Sequence, residues 1–329
     1  MSRSDEKTNP TAKFLEVSAD YDGQRLDNFL LRELKGVPKS HVYRVVRSGE
    51  VRINKGRASA DTRLKLGDIV RIPPVRVSES SERVPTPALN FSVIFEDNAL
   101  LIVDKPAGIA VHGGSGVSFG VIEAVRKARP ELAFLELVHR LDRETSGLLM
   151  LAKKRSALLA LQDDLRERTT DKRYLALVVG AFEGAQKTVD AALIKLTNAA
   201  GERFVRVGEG EFAKPARTIF RVKERYSVEG AAFTLLEAKL LSGRTHQIRV
   251  HLQHLGLPIV GDPKYGNFAL NKRLLRAGAW SDAPKFDRMF LHAAKLGITH
   301  PGSQMPMVLE APLPAPCEAI LRYLRTRLG

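Results

Sequence analysis

Cysteine is almost absent from this chain. The single Cys317 excludes an intrachain disulfide framework and any cysteine-built zinc finger or knuckle, and it fits a reducing compartment. Long apolar runs are missing too, since no stretch approaches the ~18 consecutive apolar residues needed to span a bilayer. Met1 to Lys13 is polar and mixed in charge, with no apolar core for a signal peptide. A cytosolic protein with a disordered tail over residues 1–15 is expected. Acidic residues are outnumbered, 37 Asp and Glu standing against 52 Lys and Arg, for a net charge of +15 and a pI near 10.0. That balance favours a polyanionic partner, nucleic acid first, over an acidic protein or a neutral metabolite. No internal repeat is visible. Against these absences, 329 residues with 44% hydrophobic content suffice for one large and one small domain.

A Pro/Ser/charge segment from Pro73 to Pro87 cannot form a regular core element and reads as a linker over residues 76–90. It separates a small domain, 16–75, from a large one, 91–329. In the small domain Leu26, Phe29, Leu30 and Leu34 have helical spacing, and Val42, Val45 and Val46 mark a second helix after Pro38 and Ser40. Val51–Asn54 and Ile69–Ile72 read as strands. Residues 32–57 carry eight cations against Glu33 and Glu50, a concentrated basic patch that includes Lys39, Arg44, Arg47, Arg52, Lys55 and Arg57. A charge run is usually a solvated helix face.

The large domain mixes strand and helix signals. Phe91–Phe95 and Leu100–Val103 suggest a hairpin; Ala157, Leu158, Leu161 and Leu165 an amphipathic helix; Tyr174–Val179 and Phe233–Leu240 strands. Ile248, Leu252 and Leu255 form the buried stripe of a helix closed by Gly256. Ala181 to Ala216 is polar and irregular, an apparent excursion from the core. The fold class expected is α+β with a mainly antiparallel mixed sheet.

Chemistry concentrates in Val138–Gly147, a polar break between apolar runs. Leu148–Ala152 after it suits a strand buried on both faces, which would hold the break rigidly. Asp142 sits there between Arg140 and Arg143, and a nearby cation favours the ionised carboxylate, the form able to act as nucleophile or base. On spacing alone the commoner reading is an Asp that merely caps or pairs within its own loop, as loop Asp residues usually do.

The sequence His139-Arg-Leu-Asp142-x-x-Thr-Ser-Gly-Leu-Leu-x-Leu-Ala-Lys153 resembles the signature loop of the RluA family of RNA pseudouridine synthases, in which the single Asp is catalytic. Lys105-Pro-Ala-Gly108, Lys172-Arg-Tyr174, Gly243-Arg-Thr-His-Gln-Ile-Arg-Val-His-Leu252, Gly256 to Gly266 and Leu291-His-Ala293 resemble further family motifs in the expected order. Arg25-Leu-Asp27, Ser48 to Lys55 and Leu66-Gly-Asp68 resemble an S4 domain, a small RNA-binding module. The resemblance implies a pseudouridine synthase fold in which Asp142 attacks C1′ or takes the C2′ proton, and Tyr174 stacks on uracil and relays the C5 proton. It also implies that Arg249 pairs with Asp142, bidentate geometry fixing the carboxylate. Ile248 and Leu291 would pack on the base, Arg140 would fill the space of the flipped nucleotide, and Lys105 and His139 would contact substrate. The basic patch becomes an RNA surface. The expected partner is 23S ribosomal RNA, with no membrane, no cofactor and no metal, and a monomer is expected; another structured RNA such as tRNA, or a non-catalytic ribosome-assembly factor, is the alternative.

Two other patterns compete. His246, His251 and His254 lack the i, i+4 pairing with an adjacent Glu of helical zinc sites and read as helix-surface and cleft hydrogen-bonders. Gly116-x-Ser118-x-Gly120 matches a nucleophile elbow, but His112–Ser115 precedes it where a buried strand is required.

Overall fold

The computed structural model describes residues 11–34, 37–75, 87–113, 119–197, 201–276 and 282–327. Ser118, Lys35, residues 1–10 of the expected tail and residues 76–86 of the expected linker lie outside them. The chain divides into two compact units, Met1–Val84 and Pro85–Gly329.

In the first unit β1 (Lys13–Glu16) is followed by α1 (Leu26–Glu33), α2 (Lys39–Arg47), β2 (Arg52–Ile53), β3 (Gly56–Arg57) and β4 (Ile69–Ile72). The strands form a sheet in the order β1-β4-β2-β3. Both helices bury the stripes their spacing predicts, Leu26, Phe29 and Leu30 from one and Val42, Val45 and Val46 from the other, in a core with Val17, Val51, Leu64, Val70 and Ile72. The tail expectation needs correction at its end. Lys13–Glu16 pairs antiparallel with Ile69–Ile72, because a four-residue edge strand completes backbone bonds that β4 would otherwise leave open.

The second unit is built on one ten-stranded sheet. Its elements are β5 (Ser92–Glu96), β6 (Leu100–Lys105), α3 (Val121–Ala128), β7 (Glu136–Leu137), β8 (Ser146–Ala152), α4 (Arg155–Glu167), β9 (Asp171–Val179), β10 (Gln186–Asp190), β11 (Leu193–Thr197), β12 (Arg203–Val207), β13 (Arg217–Val228), β14 (Ala231–Leu240), α5 (Gln247–His254), α6 (Phe268–Leu274), β15 (Leu291–Thr299), β16 (Pro306–Glu310) and α7 (Ala315–Thr326). The strand order is β10-β13-β14-β9-β15-β8-β6-β5, with β16 on β15 and β7 on β8. Only β15 and β8 run parallel, so the sheet is mixed and mainly antiparallel. Every residue of β8 is buried, as its apolar run requires. The segment 181–216 is less of an excursion than expected: β10 joins the main sheet beside β13, and only the β11–β12 hairpin stands apart. Its strands alternate with charged residues on the exposed side, which hid their period.

The parallel β15–β8 contact sets the site. Gly147 at φ 108 lies opposite Ala293, and a Cβ there would come within 2.3 Å of the Ala293 carbonyl oxygen. Only glycine permits that approach. The chain just before it, Asp142 to Thr145, is thereby held at the sheet centre, with Tyr174 in register with Ala293 on the neighbouring β9.

Candidate active site

Asp142 sits in the β7–β8 connection, where the Thr145 N–H closes a turn onto its carbonyl at 3.1 Å. A second loop clamps the turn from behind. The Lys105 ammonium donates to the carbonyls of Pro106, Ile109 and Arg143 at 2.8, 2.9 and 3.1 Å, the Gly108 N–H donates to the Arg143 carbonyl at 2.9 Å, and Arg143 Nε returns to the Gly108 carbonyl at 2.9 Å. Lys105 is fully buried and does not line the cleft, which corrects the expectation that it contacts substrate. Burial pushes its ammonium down to about 7, against the pull of Glu144, while three carbonyl bonds occupy its three N–H donors.

In front of the turn lies a cleft of about 650 Å³, within the ~300–1,000 Å³ range of small-ligand sites. Tyr174, Ile248, Leu291, Val138 and Leu141 give it an apolar wall. Arg140, Arg166, Arg168, Lys172, Arg244 and Arg249 supply cations, and Asp142 is the one carboxylate in its lining. Arg140 is exposed in the lining of the cleft. His139 also lines the cleft, yet its Nε2 accepts the Met150 N–H at 3.1 Å, so it anchors the loop to β8. Burial, with Lys172 nearby, depresses its imidazole to about 3.

Arg249 does reach Asp142, but differently from the expectation. Its Nη1 donates to Asp142 Oδ2 at 3.2 Å, a single bond. The bidentate fork goes instead to Asp262, Nε to Oδ2 at 2.7 Å and Nη2 to Oδ1 at 2.8 Å. Asp262 is fully buried and also accepts the N–H groups of Lys264 and Tyr265 at 2.8 and 2.9 Å. Burial alone would raise the Asp262 carboxyl; the Arg249 fork overrides it and holds it below the ordinary carboxylate range. Asp142 thus keeps one oxygen, Oδ1, with no protein donor among the described residues, and a carboxylate with a free oxygen is what attack on C1′ or proton removal from C2′ needs. Arg143, expected to help, points to Gly108 instead.

Tyr174 is buried in the wall, and burial followed by the Asp142 charge pushes its phenol well above its usual value. It is therefore a phenol throughout the neutral range. Of the three histidines weighed above, His246 faces the cleft, whereas His251 is wholly buried, taking the Thr218 hydroxyl at 2.9 Å on Nδ1 and giving Nε2–H to the Ala191 carbonyl at 3.0 Å. That places His251 inside rather than on the helix surface, as a satisfied polar group. Among the described residues no cluster of three metal-ligating side chains occurs.

The model of a family described as RNA pseudouridylate synthase matches residues 99–254, and an S4 domain model matches residues 24–70. Over 322 residues the chain is 49% identical to the ribosomal large subunit pseudouridine synthase C of Escherichia coli (strain K12), 96% of this chain and 98% of that one being covered. The protein of the same description from Haemophilus influenzae (strain ATCC 51907 / DSM 11121 / KW20 / Rd) is 48% identical over 332 residues, 99% of each. The chain belongs to the RNA pseudouridylate synthase family.

Among solved structures it is similar to human RNA pseudouridylate synthase domain containing 1, with 27% identity and a TM-score of 0.55 over 70% of this chain and 86% of that one. Human RNA pseudouridylate synthase domain containing 4, at 24% identity and a TM-score of 0.56 over 71% and 93%, shares the fold. As an RNA pseudouridylate synthase carrying an S4 domain, the chain also presents a basic face on its first unit. Lys39, Arg44, Arg47, Arg52, Lys55 and Arg57 are all exposed, and none pairs with a carboxylate among the described residues. Arg52 lies opposite Arg57 on β3 and opposite Arg71 on β4, a like-charge row that costs stability unless a polyanion covers it. The three guanidiniums meet the carbonyls of Ser48, Gly49 and Glu50 at 3.4, 3.3 and 2.7 Å. Arg71, Asp262, Tyr265, Arg166 and Arg168 had no role in the sequence reading. Register would have found Arg71; a search for a second carboxylate within the Gly256–Gly266 motif would have found Asp262.

Proposed function

We propose that the protein isomerises uridines of large-subunit ribosomal RNA to pseudouridine, with Asp142 as the reacting carboxylate. The observation that carries the reading is the single carboxylate of a cation-lined cleft, tethered through Oδ2 alone and open at Oδ1. The C1′–N1 bond breaks, the base turns within the cleft, and C5 joins C1′; N1 gains a proton while C5 loses one, so atoms balance without a co-reactant. Arg249 keeps the carboxylate charge-paired, its own position fixed by Asp262. Tyr174, Ile248 and Leu291 retain the detached uracil. Since Tyr174 is a phenol, its hydroxyl takes up the C5 proton as it gives up its own, the net transfer being from C5 to N1 with no standing phenolate.

The near-full-length likeness to large-subunit enzymes and the basic face of the first unit support a large folded RNA as substrate. Among the described residues no helix is long and apolar enough to cross a membrane. The reading places the enzyme in the cytoplasm with its ribosomal substrate. Asp142→Asn should abolish tritium release from C5-labelled uridine RNA while binding persists, because the change is isosteric and removes only charge. More than trace turnover in pure protein, deamidation excluded, would sink the assignment. Mapping pseudouridine in ribosomal RNA with and without the gene identifies the target uridines.

A further inference from the structure

Arg249 accounts for one of two groups that face Asp142 Oδ2. The other is His246, whose Nε2 lies 3.9 Å from the same oxygen, beyond hydrogen-bond length. His246 caps α5 in the left-handed region, φ 55 and ψ 21, a conformation that a non-glycine residue holds only when its surroundings fix it. What fixes it is Tyr265. The Tyr265 Oη accepts the Val205 N–H at 3.0 Å and lies 2.8 Å from His246 Nδ1. If Nδ1 carried the imidazole hydrogen, the buried tyrosine hydroxyl would have two donors pointed at it and no acceptor of its own. The tautomer that satisfies all three groups has the phenol donating to Nδ1 and the hydrogen on Nε2, aimed at Asp142.

Tyr265 is also the floor on which Arg249 lies, with the guanidinium 5.0 Å from its ring centre, and its backbone N–H is one of the donors to Asp262. One residue therefore sets both donors that converge on Asp142 Oδ2. The charged and titratable groups around the imidazole are Asp142 from the catalytic loop, Arg249 on its own helix, and Asp262, Lys264 and Tyr265 from the following segment. Burial pulls the imidazole below its ordinary value against the pull of Asp142, which favours the neutral ring this arrangement requires.

We propose that His246, locked by Tyr265 as the Nε2–H tautomer, is a positioning residue that donates to Asp142 Oδ2 when uridine enters the cleft. Catalytic hydrogen bonds are often long in the free enzyme and shorten in the substrate complex. With Arg249 and His246 both on Oδ2, the carboxylate cannot rotate, and Oδ1 is the oxygen presented to the sugar. This rests on the reading of Asp142 as the reacting carboxylate.

The test uses the full chain under saturating labelled RNA, with Asp142→Asn as a parallel arm. His246→Ala should lower kcat about 10- to 100-fold, the loss expected when a reacting group is misplaced by about 1 Å, with RNA affinity unchanged; because the change also leaves the Tyr265 hydroxyl without its acceptor, turnover is read well below the variant's own melting temperature. His246→Gln, whose amide N–H falls near Nε2, should recover most of the turnover, and His246→Asn, whose amide falls near Nδ1, should not. Tyr265→Phe should lower kcat in the wild-type background and add nothing to His246→Ala, since both act through one donor. Turnover by His246→Ala within about twofold of wild type, a loss confined to KM, equal turnover of the Gln and Asn variants, or additive losses with Tyr265→Phe would each overturn the proposal. The Gln and Asn pair decides the matter even if the Ala variant does not fold. Activity in the Asp142→Asn arm would instead remove the underlying reading, whatever His246 does.

Discussion

Replacing Asp262 by Asn should be more damaging to stability than replacing Asp142, although Asp262 does not line the cleft. The side chain is fully buried and takes four bonds, two from the Arg249 fork and two from backbone N–H groups. An Asn can keep those that end on Oδ1, but its NH₂ group faces Arg249 Nε, turning a 2.7 Å charge-assisted bond into a donor–donor contact. More important, the Arg249 side chain is only 5% exposed and would lose its close counter-ion. Breaking a buried ion pair from one side costs about 3–5 kcal/mol. For a unit of this size each kcal/mol lowers Tm by roughly 2–4 °C, so the catalytic unit should melt roughly 6–20 °C lower. Turnover should fall further than stability explains, because the freed guanidinium can turn its fork onto Asp142 and occupy Oδ1. Thermal denaturation and single-turnover tritium release, both below the new Tm, measure the two effects. A variant with wild-type Tm and turnover would refute the claim that Asp262 is the anchor of Arg249.

Tyr174→Phe keeps the stacking surface and loses the hydroxyl, so RNA affinity should survive while turnover drops about 10²-fold or more, the usual scale of a lost proton relay; equal turnover would reduce Tyr174 to a platform. Acid should destabilise the fold through its buried histidines. Burial depresses His139 to about 3 and His292 to about 4, below the ~6.5 of a free imidazole, so the unfolded chain takes up protons first as pH falls. Stability should decline below pH ~6.5, by about 1.4 kcal/mol per pH unit for each histidine, down to the folded values, and urea unfolding between pH 7 and 5 would show it. A flat profile would contradict the buried, neutral state of both rings. Deleting residues 1–84 should weaken RNA binding and make its log–log salt slope shallower, because phosphate contacts on the basic face are lost; unchanged affinity and slope would exclude that unit from RNA recognition.

Where the chemistry is local in the chain, the sequence was readable. The polar break around Asp142 and the apolar strand opened by Tyr174 are visible in pattern, but pattern alone leaves a capping Asp and a core Tyr open; it is the resemblance of the 139–153 and 172–174 motifs that singles the two out. The helix stripes of Leu26–Leu30 and Val42–Val46 and the fully buried run after Gly147 follow from period alone. What period hides is the 12-residue β13, whose exposed positions carry Arg217, Arg221, Lys223 and Arg225, and the strand β10 inside a polar segment. Lys105 was misjudged for a related reason. A lysine in a motif suggests a cation for substrate, whereas its burial, and the three carbonyls that make burial tolerable, exist only once the 105–109 loop folds behind Arg143.

The partition of Arg249 between two carboxylates is the deepest of these losses, and it has a physical logic. A reacting carboxylate held by a full fork would have both oxygens engaged, its nucleophilicity spent on hydrogen bonds. A guanidinium left to Asp142 alone, in a cleft open enough to admit a nucleotide, would pay in rotamer entropy for every turnover. Giving the fork to a second, wholly buried carboxylate fixes the cation in advance, and leaves its remaining N–H for one oxygen of Asp142. Sequence shows one Arg and two Asp residues 13 and 107 positions away; which of them takes two bonds and which takes one follows their exposure, 0% for the Asp262 side chain against 24% for that of Asp142. The more exposed partner takes the single bond, which leaves its second oxygen open towards the cleft.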